Sequence, residues 1–169
     1  MKIEKDFLVI GSGVAGLTFA LKIAKYGSVG IVTKDLLEES ATRYAQGGVA
    51  SVMAEDDSYD FHVKDTLEAG RGLCREDVVK HIVRDGPERV RELIQLGAKF
   101  SRTQSLDFDL GREGGHSKRR ILHANDLTGL EIERTLIEAV RAQSNIEIFK
   151  DSFSVFPSEY QSVIIIPPL

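Results

Sequence analysis

Short unbroken apolar runs alternate with helically spaced apolar positions along the amino-terminal third of this chain. Phe7-Leu8-Val9-Ile10 is continuous and apolar, the pattern of a strand buried on both faces of a parallel sheet. Gly11-Ser12-Gly13-Val14-Ala15-Gly16 follows at once. Leu17, Ala20, Leu21 and Ala24 then recur at helical spacing, and Gly27 supplies a helix stop. Val29 to Thr33 is a second β-rich run, completing a βαβ unit. Residues 34–60 carry no clear period. Helices are predicted over 60–69 and 75–85, with a break at Gly86-Pro87 and a further helix over 88–96 closed by Gly97. Residues 101–120 form a polar, glycine-bearing loop. Asp126 or Thr128 is placed to cap a helix running to about Ala142, with Leu130, Leu136, Ile137 and Val140 on its apolar side. Ile146 to Phe149 is a short strand candidate. Val163 to Ile166 is apolar but has no later element to pack on before Pro167-Pro168. The expected class is α/β: a Rossmann-like βαβ domain with a parallel sheet and flanking helices.

The glycine turn adds chemistry to this pattern. A diphosphate can approach backbone amides only where side chains are missing. Gly11 permits the tight turn, Gly13 the approach of the phosphate and Gly16 the packing of helix on strand, while Ser12, Val14 and Ala15 complete the loop. The helix amino terminus offers free N–H groups and partial positive charge to the anion. The alternative is a tight βα turn whose glycines serve packing alone. An acid that accepts from ribose hydroxyls is expected about 20 residues further on. Thr33-Lys34 stands there instead, with Asp35 slightly late. A lysine donates only, which weighs against NAD and leaves FAD open, with Lys34 near the adenosine half or simply exposed.

Composition narrows the class further. Of 169 residues, 42% are hydrophobic and 28% charged, enough to build a packed core. The net charge of −4 gives no general pull toward nucleic acid or anionic membrane. The one cysteine, Cys74, fits an inert thiol and a reducing cytoplasm, and leaves no cysteine-built metal site. Neither a secretory leader nor a bilayer-length apolar run is apparent, so a cytoplasmic location with no membrane and no nucleic-acid partner is expected.

Two longer motifs carry a resemblance. The first is Ala41-Thr42-Arg43-Tyr44-Ala45-Gln46-Gly47-Gly48-Val49-Ala50. The second runs from Arg112-Glu113-Gly114-Gly115-His116-Ser117-Lys118-Arg119-Arg120-Ile121 through His123-Ala124-Asn125-Asp126-Leu127-Thr128-Gly129. With the glycine turn, these resemble the succinate dehydrogenase/fumarate reductase flavoprotein family, and within it the members that oxidise L-aspartate. The resemblance covers residues 6 to about 155. It implies FAD, with Gly11 to Gly16, Lys34 and Ala41 to Gly48 around the cofactor. Membrane-bound relatives carry a flavin-bonding histidine where this chain has Ala41, so the flavin is expected to be non-covalent. Glu113 is expected to orient substrate by pairing with its amine, where dicarboxylate dehydrogenases have an apolar residue. The competing reading is a solvated loop glutamate. His116 and Ser117 are placed to contact substrate or flavin, or His116 is a structural loop histidine. Lys118-Arg119-Arg120 reads as a solvated charge run, or as attraction for a dianionic substrate. His123 and Thr128 read as structural hydrogen-bonders, and His62 and His81 receive no role.

The implied reaction is oxidation of L-aspartate to iminoaspartate, with oxygen or fumarate as electron acceptor and quinolinate synthase as the downstream partner on the route to NAD. The resemblance also implies a capping domain bearing an acid/base arginine, and a late return to the sheet. Residues 1–155 are therefore expected to be the first part of the FAD-binding domain, and 156–169 an atypical tail from truncation or frameshift. The capping and carboxy-terminal domains are expected to be absent, and the chain inactive by itself. The alternatives are a soluble fumarate reductase or succinate dehydrogenase flavoprotein, and a non-catalytic nucleotide-binding fragment.

Overall fold

The computed structural model describes residues 3–155 and 164–166. The chain divides into two compact units, one built from residues up to Tyr44 and from Ile132 onward, the other from Ala45–Glu131. The first contains β1 (Phe7–Ile10), α1 (Val14–Ile23), β2 (Val29–Val32), β6 (Ile146–Phe149), β7 (Phe153–Val155) and β8 (Ile164–Ile166). The second contains β3 (Val49–Ala50), α2 (Tyr59–Ala69), α3 (Glu76–Gln95), β4 (Leu110–Gly111) and β5 (Ile121–Leu122). Helix α4 (Thr128–Arg141) begins in the second unit and continues into the first.

In the first unit β1, β2 and β6 form a parallel sheet in that order. The register pairs Phe7 with Val29 and Val29 with Ile146. Strand β2 is central, and all four of its residues are buried, as its unbroken apolar pattern requires. Leu17 and Ala20 of α1 and Leu136 and Val140 of α4 are essentially inaccessible. The end of α1 tightens into a 3₁₀ turn, Ala24–Tyr26. There the Asn145 side-chain amide donates to the Ala24 and Gly27 carbonyls at 2.6 and 2.8 Å. Those carbonyls have lost their helical partners, and a neighbouring side chain replaces them.

The apolar run near the carboxyl end differs from expectation. Ile164–Ile166 pairs antiparallel with β7, with Phe153 opposite Ile166. Its partner therefore precedes it in sequence, so no later element is needed. Val163 and the rest of the expected tail boundary at 156–163 lie outside the described residues, as do 167–169.

The second unit packs α2 on α3 around Val63, Val79 and Val83, with Leu67 and Cys74 against that cluster. Beside them β3, β5 and β4 form a small antiparallel sheet. The break expected at Gly86-Pro87 does not occur: α3 is continuous with Pro87 inside it. Val79, Val83, Pro87 and Val90 are all buried, so the proline sits on the packed stripe and burial carries the helix past its missing N–H. Helix α4 starts at Thr128, and neither expected cap serves it. The amide of Glu131 donates to the Leu127 carbonyl, which puts Leu127 at the cap position, and the Thr128 hydroxyl accepts from the Ala124 amide instead.

The contact between α1 and β1 leaves no spare volume. A Cβ on Gly16 would stand 2.1 Å from the Gly11 carbonyl oxygen. Helix propensity favours Gly16→Ala by about 1 kcal/mol, but a clash with backbone cannot be relieved by a rotamer change. Gly16→Ala is therefore expected to destabilise by roughly 1–3 kcal/mol net in urea unfolding. Gly47→Ala, where an added Cβ meets nothing within 4 Å, is expected to stay within about 0.5 kcal/mol of the parent.

Candidate functional site

The glycine turn lies where β1 ends and α1 begins. Gly11 has φ +100°, a conformation that side chains rarely adopt, and its amide donates to the Val32 carbonyl at 2.8 Å. Ser12 is buried, and its hydroxyl meets that of Thr33 at 3.0 Å, tying the turn to the end of β2. Gly13 is the N-cap of α1 and has ordinary extended dihedrals, φ −73° and ψ 177°. A Cβ there would meet only the Thr42 hydroxyl oxygen, at 3.5 Å. Neither the backbone nor the packing inside the protein demands glycine at 13. The open space beside it is what an approaching ligand needs. Val14 and Ala15 are exposed at the helix start, and Gly13 has no side chain to cap the first turn, a setting that suits an anion.

Lys34 is exposed just beyond β2. The segment after it runs through turns. Ala41 is exposed, Thr42 and Arg43 are half-buried, and Tyr44 is exposed with its hydroxyl donating to Glu39. The Thr42 hydroxyl accepts from the Val14 amide at 3.0 Å, bringing this segment onto the glycine turn. Ala45, Gln46, Gly47 and Gly48 belong to the second unit and are exposed. There the Ala45 carbonyl accepts from the Gly129 amide at 2.9 Å. Gly48 is held to glycine by packing, because a Cβ would lie 2.2 Å from Ile121 Cγ2.

The loop that carries Glu113 and His116 is fixed from behind. Arg120 is fully buried, which corrects its expected place in a solvated charge run. Its Nε and Nη2 donate to the two carboxylate oxygens of Asp57 at 2.8 and 2.9 Å, and its Nη1 donates to Asp65 Oδ2 at 2.7 Å. A desolvated guanidinium has to be matched this way, since an unpaired buried charge costs several kcal/mol (order of magnitude). The Ser117 amide and hydroxyl also donate to Asp65 Oδ2, at 2.7 and 2.8 Å. Burial pushes the Asp65 carboxyl up, but the donors from Ser117 and Arg120 outweigh it and hold it below the ordinary value.

Glu113 is exposed, and its carbonyl accepts from the His116 amide at 3.0 Å, closing a turn over Gly114 and Gly115. An added Cβ on Gly114 would meet nothing within 4 Å, so the backbone beside Glu113 stands bare. His116 lies 6.0 Å from His62, ring edge to ring face, and the Nδ1 atoms of both are buried without a hydrogen-bond partner among the described residues. Burial, and then the neighbouring Arg120 and His116, hold the His62 imidazole below its usual value. Arg112, Ser117, Lys118 and Arg119 are among the residues lining a cleft of about 630 Å³, and Lys118 pairs with Asp56 at 2.9 Å.

Residues 6–155 match the FAD binding domain family. The chain belongs to that family. It is 53% identical over 150 residues to the chloroplastic L-aspartate oxidase of Arabidopsis thaliana, covering 89% of this chain and 23% of the relative. It is 46% identical over 152 residues to L-aspartate oxidase 1 of Ralstonia nicotianae, covering 89% and 28%. Among solved structures, a quinol–fumarate reductase with menaquinol molecules superposes with TM-score 0.86 at 30% identity, covering 91% of this chain and 27% of that one. Sdh1 of Mycobacterium smegmatis superposes with TM-score 0.81 at 33% identity, covering 89% and 28%. The chain thus spans roughly a quarter of the length of the relatives it matches. Its fold is that of the FAD-binding domain of succinate dehydrogenase/fumarate reductase flavoproteins.

FAD is the cofactor of the FAD binding domain family, and the amino-terminal turn fits it on structural grounds. Gly13 leaves space that the protein does not use, and the helix start behind it has no cap from Gly13 itself, only the Thr42 hydroxyl on the Val14 amide. No helix among the described residues is long and apolar enough to cross a membrane, and those residues contain no cluster of three or more metal-ligating side chains.

Sequence reasoning missed Asp57, Asp65 and His62, which stand behind the Glu113 loop, and Glu133. Glu133 lies on α4 and is buried, with the Ser40 hydroxyl donating to it. Burial pushes its carboxyl above the usual value, and the hydrogen bond from Ser40 and the nearby Arg43 only partly offset this. The available signal was a carboxylate on the apolar side of a helix: Glu133 falls between Ile132 and Leu136 in the buried stripe.

Removing one partner of the buried Arg120 pair leaves the other charge stranded. Asp57→Ala is expected to cost roughly 3–5 kcal/mol in denaturant unfolding. For Asp65, whose folded value is depressed, the stabilising contribution is present above the unfolded carboxylate range and is lost as pH falls through the folded value. Asp65→Asn is therefore expected to be less stable near neutral pH and to lose less further stability than the parent on acidification below about pH 4. Urea midpoints measured across pH check both statements.

Proposed function

We propose that this chain supplies the amino-terminal, nucleotide-binding part of an FAD-dependent enzyme that oxidises L-aspartate to iminoaspartate, the first step toward quinolinate and NAD. The observation that carries the reading is the 43–53% identity to L-aspartate oxidases over nearly the whole chain, in which Glu113 stands exposed on a braced loop. When bound, FAD accepts the hydride that leaves the substrate α-carbon. Gly11 to Gly16 and Thr42 hold the diphosphate with backbone amides and a hydroxyl. Lys34 and the segment Ala41 to Gly48 follow the rest of the cofactor. Ala41 offers no nucleophile, so the flavin is held without a covalent bond.

Glu113 selects the substrate. L-aspartate differs from succinate by one amine, charged in solution, and a carboxylate facing that amine gains a charge-assisted hydrogen bond. Rigidity decides how much of that gain is realised, and the Arg120–Asp57–Asp65–Ser117 network supplies it. His116, at the end of the same turn, is proposed to contact substrate or flavin. Oxygen or fumarate accepts the electrons, and quinolinate synthase consumes the product. The 169 residues alone are expected to show no turnover, since they span under a third of the relatives' length.

A second reading, a fumarate reductase or succinate dehydrogenase flavoprotein, is favoured by the superposition on quinol–fumarate reductase at TM-score 0.86. The two separate on Glu113. In an active protein containing these residues, Glu113→Gln is expected to cut kcat/KM for L-aspartate about ten- to a hundred-fold, the worth of one hydrogen bond to a charged group, while sparing fumarate reduction. Equal losses on both substrates, or succinate turnover without aspartate turnover, would support the second reading. Acid precipitation of the flavin-loaded protein is expected to leave all flavin in the supernatant. Yellow colour in the washed pellet would show a covalent link and remove the role given to Ala41.

A further inference from the structure

The glycine turn is connected to a buried carboxyl that none of the above assigns. Glu133 is 1% exposed on α4. Its Oε1 accepts from the Ser40 hydroxyl, whose oxygen in turn accepts from the Thr42 amide at 3.2 Å. The Thr42 hydroxyl oxygen then accepts from the amide of Val14, the first residue of α1, at 3.0 Å. Gly13 at the N-cap has no side chain to cap this helix, so Thr42, 28 positions beyond Val14, takes that place. A hydroxyl that accepts through its oxygen still has its hydrogen to give. Among the described residues that hydrogen has no acceptor, and it sits beside the space left open at Gly13.

We propose that Glu133 is a positioning residue for the FAD diphosphate: through Ser40 it fixes Thr42 so that one hydroxyl both caps α1 and donates to a phosphate oxygen. The proposal rests on the assignment of FAD to this turn and is independent of the substrate. The burial of Glu133 fits the role. Burial holds its carboxyl above the usual value, and its Oε1 is fixed on the Ser40 hydroxyl. The charged groups that act on it are Arg43, Glu38 and Glu39. A glutamine keeps the oxygen that Ser40 needs, and a leucine removes it.

The test titrates the chain with FAD and, separately, with riboflavin, which has no diphosphate, following flavin fluorescence. Ligand-free thermal unfolding is recorded for each variant. Thr42→Val is expected to weaken FAD binding about ten-fold or more, as for a hydrogen bond to a charged group, and to leave riboflavin unchanged. Glu133→Leu and Ser40→Ala are expected to weaken FAD by a smaller factor, about three- to ten-fold, because they loosen the donor without removing it. Glu133→Gln is expected to remain within about two-fold of the parent. In the Thr42→Val background, Ser40→Ala and Glu133→Leu are expected to have no further effect, the non-additivity of groups acting through one hydroxyl.

Additive losses, equal losses for riboflavin, or Thr42→Val binding FAD like the parent would each overturn the relay. A parent chain that binds no FAD would overturn it together with the cofactor placement. Should Glu133→Leu not fold, Ser40→Ala carries the same comparison. Failure of the L-aspartate reading would leave these titrations untouched.

Discussion

The closeness of α1 to the end of β1 is the constraint on which the nucleotide-binding unit depends. Gly16 admits no carbon beside the Gly11 carbonyl, so the helix starts directly off the strand and its first amides open where the sheet ends. Moving the helix outward by the width of a methyl group would cost that alignment. The unit meets the constraint with parallel pairing of β1, β2 and β6, and with side chains that hold the turn from both sides. Ser12 reaches Thr33, and Thr42 reaches Val14. The glycines differ in what they answer to. Gly16 is required by packing and Gly11 by its backbone angle, whereas nothing inside the protein requires Gly13. That difference separates a ligand-binding turn from a turn that is merely tight.

The Glu113 loop is held by a different device. It has little regular structure, only the two-residue strands β4 and β5 at its ends. A loop this polar cannot be fixed by burying apolar surface, so it is fixed by burying a charge. Arg120 enters the interior and must find carboxylates there, and Asp57 and Asp65 supply them. Such a network adds little net stability against an apolar replacement, but it specifies one geometry, because any displacement strands a charge. That is what the role proposed for the exposed Glu113 requires. His62, given no role from sequence, is buried beside His116.

The elements governed by local rules were legible in the sequence. The βαβ opening, α2 near its expected bounds, and the strand at Ile146–Phe149 follow from period and turn chemistry alone. Pro87 misled because proline is a local rule, while the stripe Val79, Val83, Pro87 and Val90 is satisfied only by tertiary packing. The strands at Val49–Ala50 and Leu110–Gly111 are two residues long, too short for alternation to register, and exist because Ile121–Leu122 pairs with both. Arg120 looked like the end of a surface charge run because its partners lie 55 and 63 positions away. No spacing rule links residues so distant. The geometry of the candidate site was legible where it is made of absence, at the glycines, and illegible where it is made of long-range pairing.

The two buried carboxyls show how little burial alone decides. Asp65 and Glu133 are both screened from water, which by itself raises the value of each. Asp65 receives donors from the Ser117 amide, the Ser117 hydroxyl and the Arg120 guanidinium, and its value falls. Glu133 receives the Ser40 hydroxyl and a more distant arginine, with two further glutamates nearby, and its value rises. Linkage then gives the two opposite signs. A depressed Asp65 contributes stability above the unfolded carboxylate range, lost as pH falls through its folded value. A raised Glu133 contributes below that range, and its contribution is lost as pH rises through its folded value. The charged carboxylate stands where a loop must be locked by a buried cation. The carboxyl with fewer donors stands behind Ser40 and Thr42, the segment that reaches the glycine turn. Donor count, set by long-range pairing in each unit, is what suits one acid to bracing and the other to positioning.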